Sequence, residues 1–183
     1  LHGRAAMAGA LARNDGDALG AIASAAKSLE ATYEAPLLAH ATMEPMNCVA
    51  DVRPDRCEIW APHQAPDWAR MEVAGALGLS PEQVTVHTTL LGGGFGRRFL
   101  PEEIIEAAQV SRLAGTPIKL VFTREDDMQR DWYRPMSVHR MAGGVNGQGK
   151  VTGWLHRVVA PSINAQRWPG SVKNALDLDA VDG

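Results

Sequence analysis

A glycine loop set between a strand and a helix constrains this chain more than any other feature. Val84, Val86, Thr88 and Leu90 alternate with polar neighbours, as a strand requires, and run directly into Gly92-Gly93-Gly94-Phe95-Gly96-Arg97-Arg98. Pro101, Glu102 and Glu103 then open a helix whose Ile104, Ala107, Ala108 and Ser111 share one face, and Gly115 and Pro117 end it. Glycines that lack Cβ let backbone N–H groups come close to a bound group. The loop is not a Walker A loop, because no Lys-Ser/Thr pair follows the glycines. Nor is it a dinucleotide fingerprint, since the third glycine would fall at Arg97. The residues leave two readings open: a cradle for a bound group, or a mobile turn at a sheet edge.

The flanking sequence predicts the frame around that loop. A strand is expected over residues 28–35, closed by Pro36. Strands over 41–52 and 57–61 flank Arg53-Pro54-Asp55-Arg56 and read as a hairpin. Pro66 and Asp67 start a helix with Ala69, Val73, Ala76 and Leu77 on one face, and Gly78 stops it. Ile118, Leu120 and Phe122 form a further strand, and residues 138–145 and 151–159 make a last hairpin around Asn146-Gly147. A short helix is expected over 17–27. The order of elements predicts an α+β fold, a mixed sheet with helices packed on one face. Residues 1–30 read as a poorly anchored lead-in, 31–162 as the domain, and 163–183 as a loop leading to sequence beyond the chain. With no initiator Met at Leu1, the 183 residues are expected to be a piece of a longer polypeptide.

Several chemistries are set aside by composition and spacing. A formal charge of −3 offers no phosphate-tracking surface, so nucleic acid is not an expected partner. No apolar run approaches the roughly 18 residues of a membrane helix. Cys48 and Cys57 form no CxxC pair and fall in predicted strands, which reads as buried, inert thiols. The six histidines show no ligand spacing, so no metal held by protein side chains is expected. No Gly-x-Ser-x-Gly elbow is present. The run over 124–131, with Glu125, Asp126 and Asp127 in succession, reads as a solvated charged turn.

Four segments taken in order are more specific than any one of them: His40-Ala41-Thr42-Met43-Glu44-Pro45-Met46-Asn47, Trp60-Ala61-Pro62-His63-Gln64, the glycine loop, and Thr123-Arg124-Glu125-Asp126. Over residues 31–162 this series resembles the molybdopterin-binding large subunit of the xanthine dehydrogenase and aldehyde oxidase family. Within that family it is most similar to the isoquinoline 1-oxidoreductase beta subunit and to the large subunit of bacterial aldehyde dehydrogenases. The resemblance implies part of a molybdenum cofactor-binding domain, with molybdopterin cytosine dinucleotide as the cofactor of the full-length parent. It places the Gln64 amide near the oxo group of molybdenum, and Gly92, Gly93, Gly94, Phe95 and Gly96 around the metal end of the cofactor. The metal is then held by the cofactor rather than by protein ligands.

The implied reaction is hydroxylation of an electron-poor carbon with water as the oxygen source. Electrons leave through an iron–sulfur subunit or domain, with a cytochrome subunit as a further partner. The family's glutamate base lies downstream of the end of this chain, so no catalytic residue is assigned here and Glu44 reads as structural. The isolated chain is expected to be inactive and to hold no molybdenum. Purine-oxidising relatives continue the glycine loop as Gly-Gly-Lys-Glu, whereas this chain has Arg97, Arg98 and Phe99. Without that carboxylate, the expected substrate is an aldehyde or an N-heteroaromatic rather than xanthine. Phe99 and Arg134 are the substrate-channel candidates, and Arg134 fits a surface or phosphate-facing role equally well. A rival reading is a stand-alone nucleotide- or phosphate-binding module that uses residues 92–98 without redox chemistry. The compartment is left open between cytoplasmic, periplasmic and membrane-associated through partners.

Overall fold

The computed structural model describes residues 1–165 and 167–181. The main elements in chain order are α1 (His2–Ala5), α2 (Ala18–Ala23), β1 (Lys27–Ala35), β2 (Asn47–Val52), β3 (Cys57–Ala61), α3 (Pro66–Leu77), β4 (Val84–Thr88), α4 (Glu102–Ala114), β5 (Ile118–Val121), α5 (Arg124–Gln129), β6 (Ser137–Val145) and β7 (Val151–Val159). Two short strands, β8 (Val172–Lys173) and β9 (Leu176–Asp177), and α6 (Leu178–Val181) follow. The chain divides into two compact units: Ala39–Tyr133 forms one, and Leu1–Leu38 joins the chain from Arg134 onward in the other. The divisions expected at residues 30 and 162 do not coincide with these units.

In the Ala39–Tyr133 unit the sheet order is β4-β3-β2-β5. β2 runs antiparallel to both β3 and β5, while β4 runs parallel to β3, so the sheet is mixed. Cys48, Ala50 and Val52 of β2 and Cys57, Ile59 and Ala61 of β3 bury one face. Ala69, Val73, Ala74 and Leu77 of α3 and Ile104, Ala107 and Ala108 of α4 close over it. Both helices end on a left-handed glycine, Gly78 at φ 68° and Gly115 at φ 67°, as their C-terminal glycines predict. Ser111 ties α4 to the sheet: its Oγ accepts from Val52 N–H at 3.0 Å and donates to Thr116 O at 2.8 Å. A parallel pair needs a crossover, and α3 supplies it. The loops that follow β3 and β4 therefore leave the same end of the sheet, joined there by Thr89 N–H to Ala61 O at 3.2 Å.

The other unit carries an antiparallel sheet, β1-β6-β7. Gly144 and Gly153 face each other across β6 and β7, and α2 lies directly on them. A Cβ on Gly153 would come within 2.9 Å of Ala18 O, so the close approach requires glycine.

The structure corrects four expectations. The strand expected over 41–52 begins only at Asn47, because Ala41 sits at φ 42°, Pro45 has no N–H to offer a ladder, and Thr42 Oγ1 donates to Glu44 O in a turn. The helix expected over 17–27 is confined to α2, capped by Asp17 accepting from Gly20 N–H, and Lys27 instead pairs with Val145 in β1. The run over 124–131 is not a solvated turn. Thr123 and Asp126 form a capping box that starts α5, Asp127 is buried against Arg124, and Asp131 is buried as well. The expected loop over 163–183 contains β8, β9 and α6, and Asp177 accepts from Ser162 Oγ and Asn164 Nδ2; Gln166, Asp182 and Gly183 lie outside the described residues.

Cys48 and Cys57 are free and buried on neighbouring strands, as expected. Burial pushes both thiols up, Cys57 to about 11. Among the described residues no helix is long and apolar enough to cross a membrane.

Candidate cofactor site

Glu44 anchors the start of the glycine loop. Its N–H donates to Gly92 O at 3.1 Å, and its carboxylate accepts from Gly92 N–H at 2.9 Å and from Asn47 Nδ2 at 2.9 Å. The approach is so close that a Cβ on Gly92 would lie 2.3 Å from Glu44 Cβ. The fully buried Arg98 completes the anchor, with Nε donating to Gly93 O at 2.7 Å and Nη2 donating to Glu44 O at 2.6 Å and to Glu44 Oε2 at 3.0 Å. Burial lowers the guanidinium pKa and the Glu44 carboxylate opposes that shift. With three donors on its carboxylate, Glu44 is structural, as expected.

Gln64, in the loop after β3, holds the other end. Its N–H donates to Arg98 O at 2.9 Å and its Oε1 accepts from Gly96 N–H at 3.1 Å. Because Gly96 presents a donor, the Gln64 atom facing it is the carbonyl oxygen, which turns the NH2 group away. That NH2 has no partner among the described residues, and Gln64 is exposed. A Cβ on Gly94 would strike Gln64 Oε1 at 2.5 Å, so this glycine keeps the amide in place.

Between these two anchors the backbone turns sharply, with Gly93 at φ 101°, Phe95 at φ 56° and Gly96 at φ 100°. The N–H groups of Gly93, Gly94 and Phe95 make no hydrogen bond among the described residues. Phe95 is 73% exposed. The loop thus offers three backbone donors and one side-chain amide, all neutral. Such a donor set suits an anionic group rich in oxygen and sulfur acceptors, and it contains no ligand that would compete for a metal.

A buried ionic cluster underlies the loop. Asp131 accepts from His40 N–H at 2.5 Å and lies 2.8 Å from His40 Nδ1 and 3.4 Å from Arg97 Nε. Arg97 also stands 3.7 Å from Glu102 and 3.9 Å from Glu103. His40 Nε2 would be 3.9 Å from a Cβ on Gly96, which brings the ring beside the loop. A cavity of about 350 Å³ opens between Arg97, Asp131, Arg130 and Phe122. His63, next to Gln64, is buried and its Nδ1 accepts from Ala65 N–H at 3.0 Å; burial lowers its pKa.

Of the residues singled out in the sequence, the structure brings together Gln64, Gly92, Gly93, Gly94, Phe95 and Gly96. Phe99 follows in the turn Arg97–Phe99, 40% exposed, its N–H donating to Gly96 O at 3.1 Å. Arg134 belongs to the other unit, exposed and paired with Leu38 through both backbone groups. Arg98, His40, Asp131 and Arg97 were missed as site builders. In the sequence Arg97 counted as the position that breaks a glycine pattern and both arginines as a departure from the loop of purine-oxidising relatives, and the signal they carried was charge placed between a glycine loop and the apolar pair Phe99 and Leu100.

A strand-turn cradle of neutral donors over a buried ionic base defines a cofactor-binding domain. Residues 3–171 match the molybdopterin cofactor-binding domain, and the chain belongs to that family. It is 33% identical over 138 residues to the isoquinoline 1-oxidoreductase subunit beta of Brevundimonas diminuta, covering 74% of this chain and 18% of that protein. It is 29% identical over 170 residues to an aldehyde oxidoreductase molybdenum-binding subunit of Escherichia coli, covering 92% of this chain and 22% of that one. The chain thus spans about a fifth of the length of these relatives. The aldehyde oxidoreductase of Desulfovibrio gigas shares the fold, with a TM-score of 0.65 at 21% identity over 79% of this chain and 16% of that one.

Proposed function

We propose that this chain supplies part of the cofactor site of a molybdenum hydroxylase that oxidises an aldehyde or an N-heteroaromatic compound with water as the oxygen source. The observation that carries the reading is the Gln64–Gly96 contact, which turns a neutral NH2 group outward beside three unpartnered backbone N–H groups. When bound, a molybdenum pterin supplies the redox chemistry and the oxygen-transfer centre. The chain's own part is to hold it: Gln64 donates without adding charge, and Gly93, Gly94 and Phe95 donate from the backbone.

The cytosine dinucleotide form of the cofactor and electron transfer to an iron–sulfur subunit or domain, with a cytochrome subunit beyond it, belong to this proposal. So does the placement of the general base in sequence outside this chain; Glu44, the carboxylate bonded to the glycine backbone, is already engaged by Gly92, Asn47 and Arg98. Membership of the family favours this reading over a stand-alone nucleotide- or phosphate-binding module.

Two substitutions in the enzyme that carries this chain test it. Gln64→Ala removes both the acceptor and the donor, whereas Gln64→Glu keeps the acceptor for Gly96 N–H and removes only the NH2. A lost hydrogen bond to a charged or strongly polar group is worth roughly 1.5–3 kcal/mol, so both variants should turn over about ten- to a hundredfold more slowly with molybdenum content retained. Unchanged rates at full molybdenum occupancy would remove Gln64 from the active site.

A further inference from the structure

His40 stands beside the end of the glycine loop with one ring nitrogen that the fold does not use. Its Nδ1 lies 2.8 Å from Asp131 Oδ1 and its backbone N–H donates to Asp131 Oδ2 at 2.5 Å, so among the described residues both hydrogen bonds to this carboxylate come from His40. Only 8% of the His40 side chain is exposed, and Nε2 reaches solvent without a hydrogen-bond partner among the described residues. That nitrogen lies 3.9 Å from where a Cβ on Gly96 would stand, and apart from the residues adjoining Gly96 no other described atom comes within 4 Å of the same point. Gly96, at φ 100°, thus leaves a small open space with Nε2 on its border, next in the chain to the unpartnered N–H groups of Gly93, Gly94 and Phe95.

Asp131 decides which ring nitrogen carries the hydrogen. A carboxylate accepts and does not donate, so the hydrogen sits on Nδ1, and Nε2 of the neutral ring is a lone pair. A lone pair turned toward an anion rich in acceptors repels it. One more proton removes the conflict, because an imidazolium donates from Nε2 while Asp131 balances its charge. The surrounding charges favour that state. Arg97 stands 3.4 Å from Asp131 and 3.7 and 3.9 Å from Glu102 and Glu103 of α4; even with Glu103 protonated, the two remaining carboxylates outnumber the one guanidinium. Arg98 is paired with Glu44, and Arg124 with Asp127, so neither supplies the missing positive charge. We propose that His40 takes up one proton from solvent as the loop is filled and donates a hydrogen bond from Nε2 to the bound anionic group, with Asp131 as its positioning residue. This inference rests on the reading of the loop as a cofactor cradle.

Cofactor retention as a function of pH tests it in the enzyme that carries this chain, read as molybdenum per protein after prolonged dialysis rather than as turnover. A ligand that needs one protonated group loses about tenfold in affinity per pH unit above that group's range, and histidine changes charge between about pH 5 and 8. Retention by the parent should therefore weaken about tenfold between pH 8 and 9. His40→Gln places an amide N–H where Nε2 stood and cannot change charge, so its retention should not vary over this range. His40→Asn keeps a donor for Asp131 in place of Nδ1 and removes Nε2, so it should lose molybdenum at every pH as readily as the parent does at the alkaline end. Circular dichroism matching the parent shows that each variant is folded. Nuclear magnetic resonance of this chain with isotope-labelled histidine should find the neutral His40 ring carrying its hydrogen on Nδ1. Retention by His40→Asn equal to that of the parent would reduce His40 to a support for Asp131 and overturns the proposal. Parent-like pH dependence in His40→Gln, or a neutral ring with its hydrogen on Nε2, overturns it as well. Molybdenum held in full at every pH by the parent and both variants overturns this inference alone, whereas an enzyme that binds no molybdenum at any pH overturns the reading of the loop on which it rests.

Discussion

Arg98 donates at once to the main-chain oxygen of Glu44, at 2.6 Å, and to its carboxylate, at 3.0 Å, so one buried guanidinium fixes both the backbone and the side chain of the residue that holds Gly92. Its Nε reaches Gly93 O at the same time. A lysine carries a point charge and cannot span these acceptors in one geometry. Arg98→Lys should therefore cost about 2 kcal/mol, and Arg98→Leu, which strands buried carbonyls and one side of the ion pair, about 3 kcal/mol or more. Urea unfolding midpoints at constant slope measure both. A lysine variant as stable as the parent would show that charge alone suffices.

Two glycines of the same loop should fail differently. A methyl group on Gly92 meets Glu44 Cβ at 2.3 Å, where a short side chain pinned by three donors cannot give way. On Gly94 the methyl meets the far end of Gln64, which is free to swing aside. Gly92→Ala should lower stability by about 1–3 kcal/mol, as overpacking does. Gly94→Ala should lose less, while turnover of the loaded enzyme falls because Gln64 is displaced. Equal losses of stability in the two variants would contradict the assignment.

Glu103 should make stability depend on pH. Burial raises its carboxyl from 4.5 to about 7, with Arg97 opposing the shift. Because the folded state holds this proton to higher pH than the unfolded chain, its stabilising contribution is complete below pH 4.5 and is lost as the pH rises through about 7. Glu103→Gln should remove a drop on the order of 3 kcal/mol across that window. Thermal unfolding of both proteins from pH 4.5 to 8 reads the difference, and parallel curves would refute it.

On the proposed reading, Phe99 takes the position where purine-oxidising relatives are expected to place a carboxylate. An aromatic ring offers apolar contact to a flat heterocycle or an acyl chain, whereas a carboxylate left without ring nitrogens to bind stays unpaired. The enzyme carrying this chain should prefer aldehydes or isoquinoline-like rings to xanthine in kcat/KM, and Phe99→Glu should depress that preferred activity. Strong xanthine turnover by the unmodified enzyme would overturn the placement of Phe99.

The parts of the fold legible in the sequence are those fixed by local chemistry. Pro66 and Gly78 bracket α3, Gly115 ends α4, and Arg53-Pro54-Asp55-Arg56 turns β2 into β3, because caps and turns act over a few residues. The parallel pairing of β3 with β4 was not legible, since nothing in either strand encodes its partner. The same holds for charge. Asp131 and Asp126 look alike in a run of acidic residues, yet one caps an exposed helix end and the other is buried against His40, 91 residues away in sequence. Gln64 and the glycines were legible because their motif is contiguous or nearly so, while Arg98 was not, because its acceptors are backbone oxygens from separate segments.

The pairing of β1 with β6 also sets an order of assembly. Lys27 meets Val145 and Ala35 meets Ser137, so this ladder waits for about a hundred residues of intervening chain. Closing so long a loop early is entropically unfavourable and slow. On the ribosome, where the N-terminal part emerges first, every strand of the β4-β3-β2-β5 sheet has been synthesised by Val121, before the first residue of β6 exists. The nascent β1 therefore spends that interval as an unpaired edge, its backbone N–H and C=O groups still without their β6 partners.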